Sequence, residues 1–137
     1  MKTILVGYDE TEPAKRALAR AAELAQAFRA KVVVTSVARV LAPAAHGIGP
    51  IDPVDPLELH EVQLEHAKAY LVERDVEAAV QTAAGDPAEI IVELAEHERA
   101  DLIVVGTREP GLIDRILNSS VSAGVARRSH CDVLIVH

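Results

Sequence analysis

Hydrophobic residues in this chain follow two rhythms. Short apolar runs, among them Ile4-Leu5-Val6, Val32-Val33-Val34, Leu102 to Val105 and Val133 to Val136, are separated by longer stretches with apolar residues three or four positions apart. The runs predict buried strands and the stretches predict amphipathic helices. Strand one is Thr3 to Gly7, with Asp9 just past its carboxyl end. Thr11 is the candidate N-cap of a helix with Pro13 in its first turn. Ala14, Ala17, Leu18, Ala21, Leu24, Ala25 and Phe28 recur along that helix, with Lys15, Arg16, Arg20, Glu23 and Gln26 opposite. Strand two is Lys31 to Val37.

Residues 39–56 break the pattern with Pro43, Gly47, Gly49, Pro50, Pro53 and Pro56. They read as a long loop, either a lid or a plain crossover. Asp55-Pro56-Leu57-Glu58 has the form of a capping box with proline at the first helical position. The helix it opens runs to about Arg74 and buries Leu57, Leu64, Ala67 and Leu71. Val76, Ala78, Val80 and Thr82 then alternate with Glu77, Ala79 and Gln81, which predicts a half-exposed third strand at a sheet edge. Gly85 turns the chain. Asp86-Pro87-Ala88-Glu89 repeats the capping signature before a helix with Ile90, Ile91, Leu94 and Ala95 inward. Strand four is Asp101 to Val105, and it breaks at Gly106 into a loop. A serine cluster, Ser119, Ser120 and Ser122, precedes a short helix, and strand five is Asp132 to Val136.

Strands alternating with helices imply right-handed βαβ units and a parallel sheet covered on both faces. The expected fold class is α/β, doubly wound, with five strands in one domain over residues 1–137. Such sheets bind ligands beyond the carboxyl ends of their strands, where the strand order reverses. If strands one and four are neighbours, Asp9 and the Gly106 loop line one crevice. A strand, a glycine-bearing loop and a Ser-rich helix start are also the parts that hold a phosphate, through free N–H groups and the helix dipole.

Composition narrows the classes. Half of the 137 residues are hydrophobic, which argues against disorder. No apolar run approaches the roughly 20 residues of a membrane helix. Strand one begins almost at Met1, leaving no room for a signal peptide. Cys131 is the sole cysteine, so no internal disulfide is possible, which suits a reducing cytosol. A formal charge of −7 argues against broad binding of nucleic acid or anionic membranes. Any anionic ligand needs a local site.

Five segments carry a family resemblance: I-L-V-G-Y-D-E-T-E at the first strand, G-D-P-A-E-I-I, A-D-L-I-V-V-G-T-R, S-S-V-S, and the closing C-D-V-L-I-V-H. Together they span nearly the whole chain, which resembles a single-domain universal stress protein. The resemblance implies strand order 3-2-1-4-5, a homodimer and often adenine-nucleotide binding, with Mg²⁺ where the ligand is ATP. ATP-binding members carry Gly, two residues, Gly, nine residues, then Gly-Ser or Gly-Thr. Gly106 matches the first glycine and Ser120 the closing hydroxyl, but Glu109 and Ser119 replace the second and third glycines. Carried over residue by residue, the resemblance puts Gly7, Tyr8, Asp9 and Val37 around adenine and ribose. It puts Thr107, Arg108, Ser120, Val121 and Ser122 around the phosphates.

Both departures have physical consequences. Glutamate takes positive φ poorly, blocks close approach of backbone to phosphate, and brings a charge. Two like charges about 5 Å apart at an effective dielectric of ~20 repel by roughly 3 kcal/mol. A helix N-terminus returns only about 0.3–1 kcal/mol. An inward Glu109 therefore opposes ATP unless Arg108 or a metal ion offsets it. An outward one is screened. Ser119 either bonds phosphate or caps the helix.

Plain structural roles stay open for each residue. Asp9 fits ribose or metal contact and also fits bonding to the amides that open the first helix. Arg108 fits an ordinary solvated loop, the serines a helix cap, Tyr8 a half-buried core position, and Cys131 small packing material. The six histidines are scattered, and His60 and His66 do not share a helix face. No catalytic residue is identified. The nucleophile elbow and the P-loop are missing, and Thr82 and His137 stand where a receiver domain wants an aspartate ending strand three and a lysine ending strand five, leaving slow ATP hydrolysis as the most that a nucleotide-binding member implies. Strand five is an edge in the implied order. Val133, Leu134, Ile135 and Val136 carry no protecting charge or proline, so it predicts pairing with a second copy across a two-fold axis. Two functions result: a stress-response regulator holding an adenine nucleotide, or a dimeric module with a vestigial site acting through protein partners.

Overall fold

The computed structural model describes residues 1–41, 49–107 and 121–137. Five parallel strands form one sheet: β1 (Thr3–Gly7), β2 (Lys31–Ala38), β3 (Ala78–Ala84), β4 (Leu102–Gly106) and β5 (Asp132–Val136). The helices among the described residues are α1 (Glu12–Phe28), α2 (Leu57–Val72), α3 (Pro87–His97) and α4 (Val121–Arg128). The strand order is β3-β2-β1-β4-β5, so the winding reverses between β1 and β4. Their register pairs Ile4 with Leu102 and Val6 with Val104. The carboxyl ends of β1 and β4 therefore lie side by side, as expected of Asp9 and Gly106.

Two cores cover the two faces. Ile4, Val6, Val32 and Val34 point to one side, against Ala17, Leu18 and Ala21 of α1 and Leu64, Ala67 and Leu71 of α2. Leu5, Val33, Ile103 and Val105 point to the other, against Ile91, Val92 and Ala95 of α3 and Val125 of α4. The alternation follows from the period of two along each strand. It explains why the central strands are apolar throughout.

The differences from sequence expectation lie mainly at element boundaries and on helix faces. β3 starts at Ala78, because the Val76 N–H donates to the Leu71 carbonyl and closes the end of α2. Its half-exposed pattern and edge position are as expected. Asp101 precedes β4 and accepts the backbone N–H groups of Lys2 and Thr3, tying the starts of β1 and β4 together. In α1, Phe28 is 55% exposed and Ala22 is buried, since the apolar stripe drifts around the helix. In α3, Val92 is buried and Ile90 is only half-buried beside Gly85. The 39–56 segment is not wholly irregular. Val40 bridges Ile51, Leu41 N–H donates to the Pro50 carbonyl, and Asp52 N–H donates to that of Arg39. The chain thus leaves β2, returns beside it, and enters α2.

Candidate functional site

A cleft of about 380 Å³ opens beyond the carboxyl ends of β1, β2 and β4. That size lies within the roughly 300–1,000 Å³ of small-molecule sites. Eight residues nominated from sequence line it: Gly7, Tyr8, Asp9, Val37, Gly106, Thr107, Val121 and Ser122. The other four, Arg108, Glu109, Ser119 and Ser120, lie outside the described residues. The eight come from four separate elements and their flanking turns. They meet because β1 and β4 are neighbours and α4 starts beside the end of β4.

The β1 turn sets two of these groups. Asp9 Oδ1 accepts from the Thr11 N–H at 3.1 Å and from its hydroxyl at 2.6 Å. Thr11 Oγ1 in turn accepts from the Ala14 N–H at 3.4 Å, which caps α1. Asp9 thus does bond the start of α1, through one oxygen, while still facing the cleft. Tyr8 is buried rather than half-buried. Its phenol is pushed up to about 12, by burial first and then by the charges of Glu10, Asp9 and Glu12. It stays a neutral hydrogen-bonding group at any physiological pH.

Thr107 lines the cleft with its backbone tied into the sheet. Its N–H donates to the Val136 carbonyl at 2.8 Å, and its hydroxyl reaches the same oxygen at 3.4 Å. The amide therefore extends the β4–β5 ladder and is not available to a phosphate.

Sequence reading missed the other wall of the cleft. Asp55 was expected to cap α2, yet Pro56 holds the cap position and no side chain caps the helix. The Asp55 carboxylate turns back instead. Oδ2 accepts from the Arg39 N–H at 2.7 Å, and Oδ1 lies 2.5 Å from His60 Nε2. Burial opposes its charge, but the Arg39 N–H and His60 outweigh burial and hold it below the ordinary 3.8. A carboxylate only accepts, so Nε2 carries a proton. His60 Nδ1 lies 2.5 Å from Ser36 Oγ, and Ser36 reaches Gln63 Oε1 at 3.2 Å. Asp55, His60, Gln63, Arg39 and Thr35 all line the cleft.

Asp55, His60 and Ser36 have the order of a charge-relay triad, but the geometry is not that of a nucleophile. Ser36 is 1% exposed and is not part of the cleft wall. The chain works as a latch between β2, the 52–55 turn and α2. A signal for it was present: His60 and Gln63 sit on the same stripe as Leu64, Ala67 and Leu71. Polar residues on an apolar stripe must find partners or a ligand when the stripe is buried.

The charges divide the cleft. Asp9, Asp52 and Asp55 face Arg39 and His60 among its described lining. An acidic wall with a tyrosine, a threonine and a glutamine suits hydroxyls and neutral heterocycles better than phosphate. An anion is better placed toward α4, whose N-terminus opens at Val121 and Ser122.

The whole chain, residues 1–137, matches the family described as the universal stress protein family. A universal stress protein of Mycobacterium tuberculosis strain H37Rv is 34% identical, with 99% of this chain and 96% of that one aligned. One from Thermus aquaticus is also 34% identical, over 98% of both chains. Among solved structures, a universal stress protein in complex with cAMP superposes with a TM-score of 0.77 at 30% identity, over 99% of this chain and 97% of that one. One from Archaeoglobus fulgidus shares the fold at 21% identity, with a TM-score of 0.79 over 100% and 99% of the two chains.

Proposed function

The chain belongs to the universal stress protein family, and on that premise we propose that it is a cytosolic stress-response module that binds an adenine nucleotide in the β1–β4 cleft. The observation that carries this reading is the convergence of eight nominated residues, scattered from position 7 to position 122, on one cavity of nucleotide size. Support comes from the 30% identical relative solved with cAMP. The adenosine half sits against Val37, Tyr8 and Asp9, where a carboxylate accepts ribose hydroxyls. The phosphates lie toward Val121 and Ser122 at the start of α4. For ATP, a Mg²⁺ ion would offset the acidic lining.

Thermal-shift titration with ATP, ADP, AMP and cyclic AMP, each with and without Mg²⁺, tests this. A ligand at 100 times its Kd stabilises the folded state by about 2.7 kcal/mol. At least one of the four should raise Tm at millimolar concentration. No shift with any of them retires the nucleotide reading. The engagement of the Thr107 amide by Val136, together with the acidic wall, favours a second reading: a vestigial site in a module that acts through protein partners.

The homodimer follows from the edge position of β5. Val133, Leu134, Ile135 and Val136 remain partly exposed there. An apolar edge of this kind pairs with its own symmetry mate. Light scattering should give twice the 14.6 kDa chain mass. A concentration-independent monomer overturns the dimer.

A further inference from the structure

Two side chains in the cleft hold hydrogen-bonding capacity that the protein itself does not use. Thr35 stands opposite Gly7 in the β1–β2 register and is 0% exposed. It lines the cleft, and its Oγ1 has no hydrogen-bond partner among the described residues. A buried hydroxyl left unpaired is costly, and most such groups are satisfied. Gln63 faces the same cleft from α2 at 9% exposure. Its Oε1 accepts from Ser36, and no described residue accepts from its amide N–H groups. The carboxamide is not a loose surface group. The chain from Asp55 through His60 and Ser36 fixes it from behind.

We propose that the β2 wall of the cleft reads the edge of a nucleobase, with Gln63 as its specificity-determining residue and Thr35 as a second hydrogen-bonding group. The proposal rests on the nucleotide reading of the cleft and assigns its base end. Gln63 donates an amide N–H to a ring nitrogen of a purine. The Thr35 hydroxyl bonds to the same ligand. The chemistry of the wall selects this class of group. Asp52 and Asp55 set against Arg39 leave this wall without the excess positive charge that would draw a phosphate, while Val37, Ile91 and Val105 offer apolar surface to the faces of a flat ring. A neutral heterocycle with acceptors on its rim satisfies both sets of contacts. A carboxamide whose rotamer is already fixed loses little entropy on binding, so its donors discriminate between bases.

The readout is the ratio of ATP affinity to UTP affinity, measured by calorimetry and competition on the full chain. Gln63→Met keeps the length and apolar packing of the side chain and removes its hydrogen bonding. It should weaken ATP about tenfold, the upper end for one lost hydrogen bond, with UTP nearly unchanged, so the ratio falls. Gln63→Glu keeps the shape and exchanges donors for acceptors, and its loss should be at least as large. Thr35→Val should weaken ATP about threefold and raise the Tm of the ligand-free protein, because the unpaired hydroxyl is gone. A role confined to packing the wall would lower ATP and UTP together at constant ratio, which overturns the proposal. So does a native protein that binds both nucleotides equally, or variants that bind ATP as the native chain does. In those three outcomes the cleft still binds nucleotide. A native protein that binds neither removes the nucleotide reading itself, and this proposal with it.

Discussion

Gly106→Ala is expected to lower stability by about 3 kcal/mol, at the upper end for overpacking. A Cβ on Gly106 would stand 2.4 Å from the carbonyl carbon of Pro13, 2.6 Å from its oxygen and 2.8 Å from the Ala14 nitrogen. All three are backbone atoms of the first turn of α1, so no rotamer change relieves the clash. The helix must move off the sheet, or β4 must yield. Either movement strains contacts to the buried α1 stripe. The loss corresponds to a fall of roughly 10 °C in Tm for a chain of this size, and the urea midpoint should fall at an unchanged slope. Gly7→Ala is the control. Its Cβ would meet Ile91 Cδ1 at 2.8 Å and Val105 Cγ1 at 3.3 Å. Ile91 can swing its terminal carbon aside, so about 1 kcal/mol or less is expected. Equal losses at the two glycines would refute the packing argument. The family resemblance matched Gly106 to the first glycine of the ATP-binding motif. The structure supplies a reason for this glycine that holds with or without a ligand. Loss of nucleotide binding on its substitution would therefore not by itself locate a phosphate.

What the sequence could and could not express is clearest in its two Asp-Pro signatures. Asp55-Pro56-Leu57-Glu58 and Asp86-Pro87-Ala88-Glu89 read alike. Asp86 caps α3 through the Glu89 N–H at 3.1 Å. Asp55 does not cap α2, because Arg39 and His60 compete for the same oxygens. Arg39 is sixteen residues away and becomes a rival only once the 39–56 segment has folded back beside β2. Local pattern registers the cap, and a contact made by folding overrides it. Periodicity was reliable where burial is set by layers: the five strands and the half-exposed edge pattern of β3 follow from it, while the order of the strands followed from the family resemblance. It marked His60 and Gln63 only as polar residues on an apolar stripe and was silent on Ser36 and Thr35, because a polar residue on a buried stripe is recognisable as an anomaly while its partner is not. Half of the candidate site, on β1 and β4, was legible because turn residues after strands announce themselves. On the other wall only Val37 was legible, because Arg39, Asp55, His60 and Gln63 acquire their places through contacts made on folding.

The same Asp55 carries the other large effect. Asp55→Ala is expected to cost about 2–3 kcal/mol, the range for a lost charge-assisted hydrogen bond that leaves buried donors unpaired. The Arg39 N–H and the His60 Nε2–H both lose their acceptor, and His60 is only 5% exposed. The pH dependence distinguishes this from a simple packing loss. The Asp55 carboxyl is held below 3.8 in the folded chain, with burial opposing and the Arg39 N–H and His60 prevailing. A group that binds its proton less readily when folded contributes stability above its unfolded value and loses it as pH falls. The gap between native protein and Asp55→Ala should thus be full at neutral pH. It should narrow once pH drops below about 3.8, through the lowered folded value. Asp55→Asn keeps one acceptor oxygen and removes the charge, so it should retain part of the stability without the acid dependence. Urea melts of the three proteins between pH 3 and pH 7 decide the matter. A gap that stays constant across that range would mean that Asp55 acts by shape, and that the latch does not depend on its charge. The latch also bears on the site. With Asp55 removed, the 52–55 turn keeps its backbone bond from Asp52 to Arg39 but loses its side-chain tie to Arg39 and His60, so ligand affinity should fall along with stability. An intact affinity would show that the cleft keeps its shape without the turn.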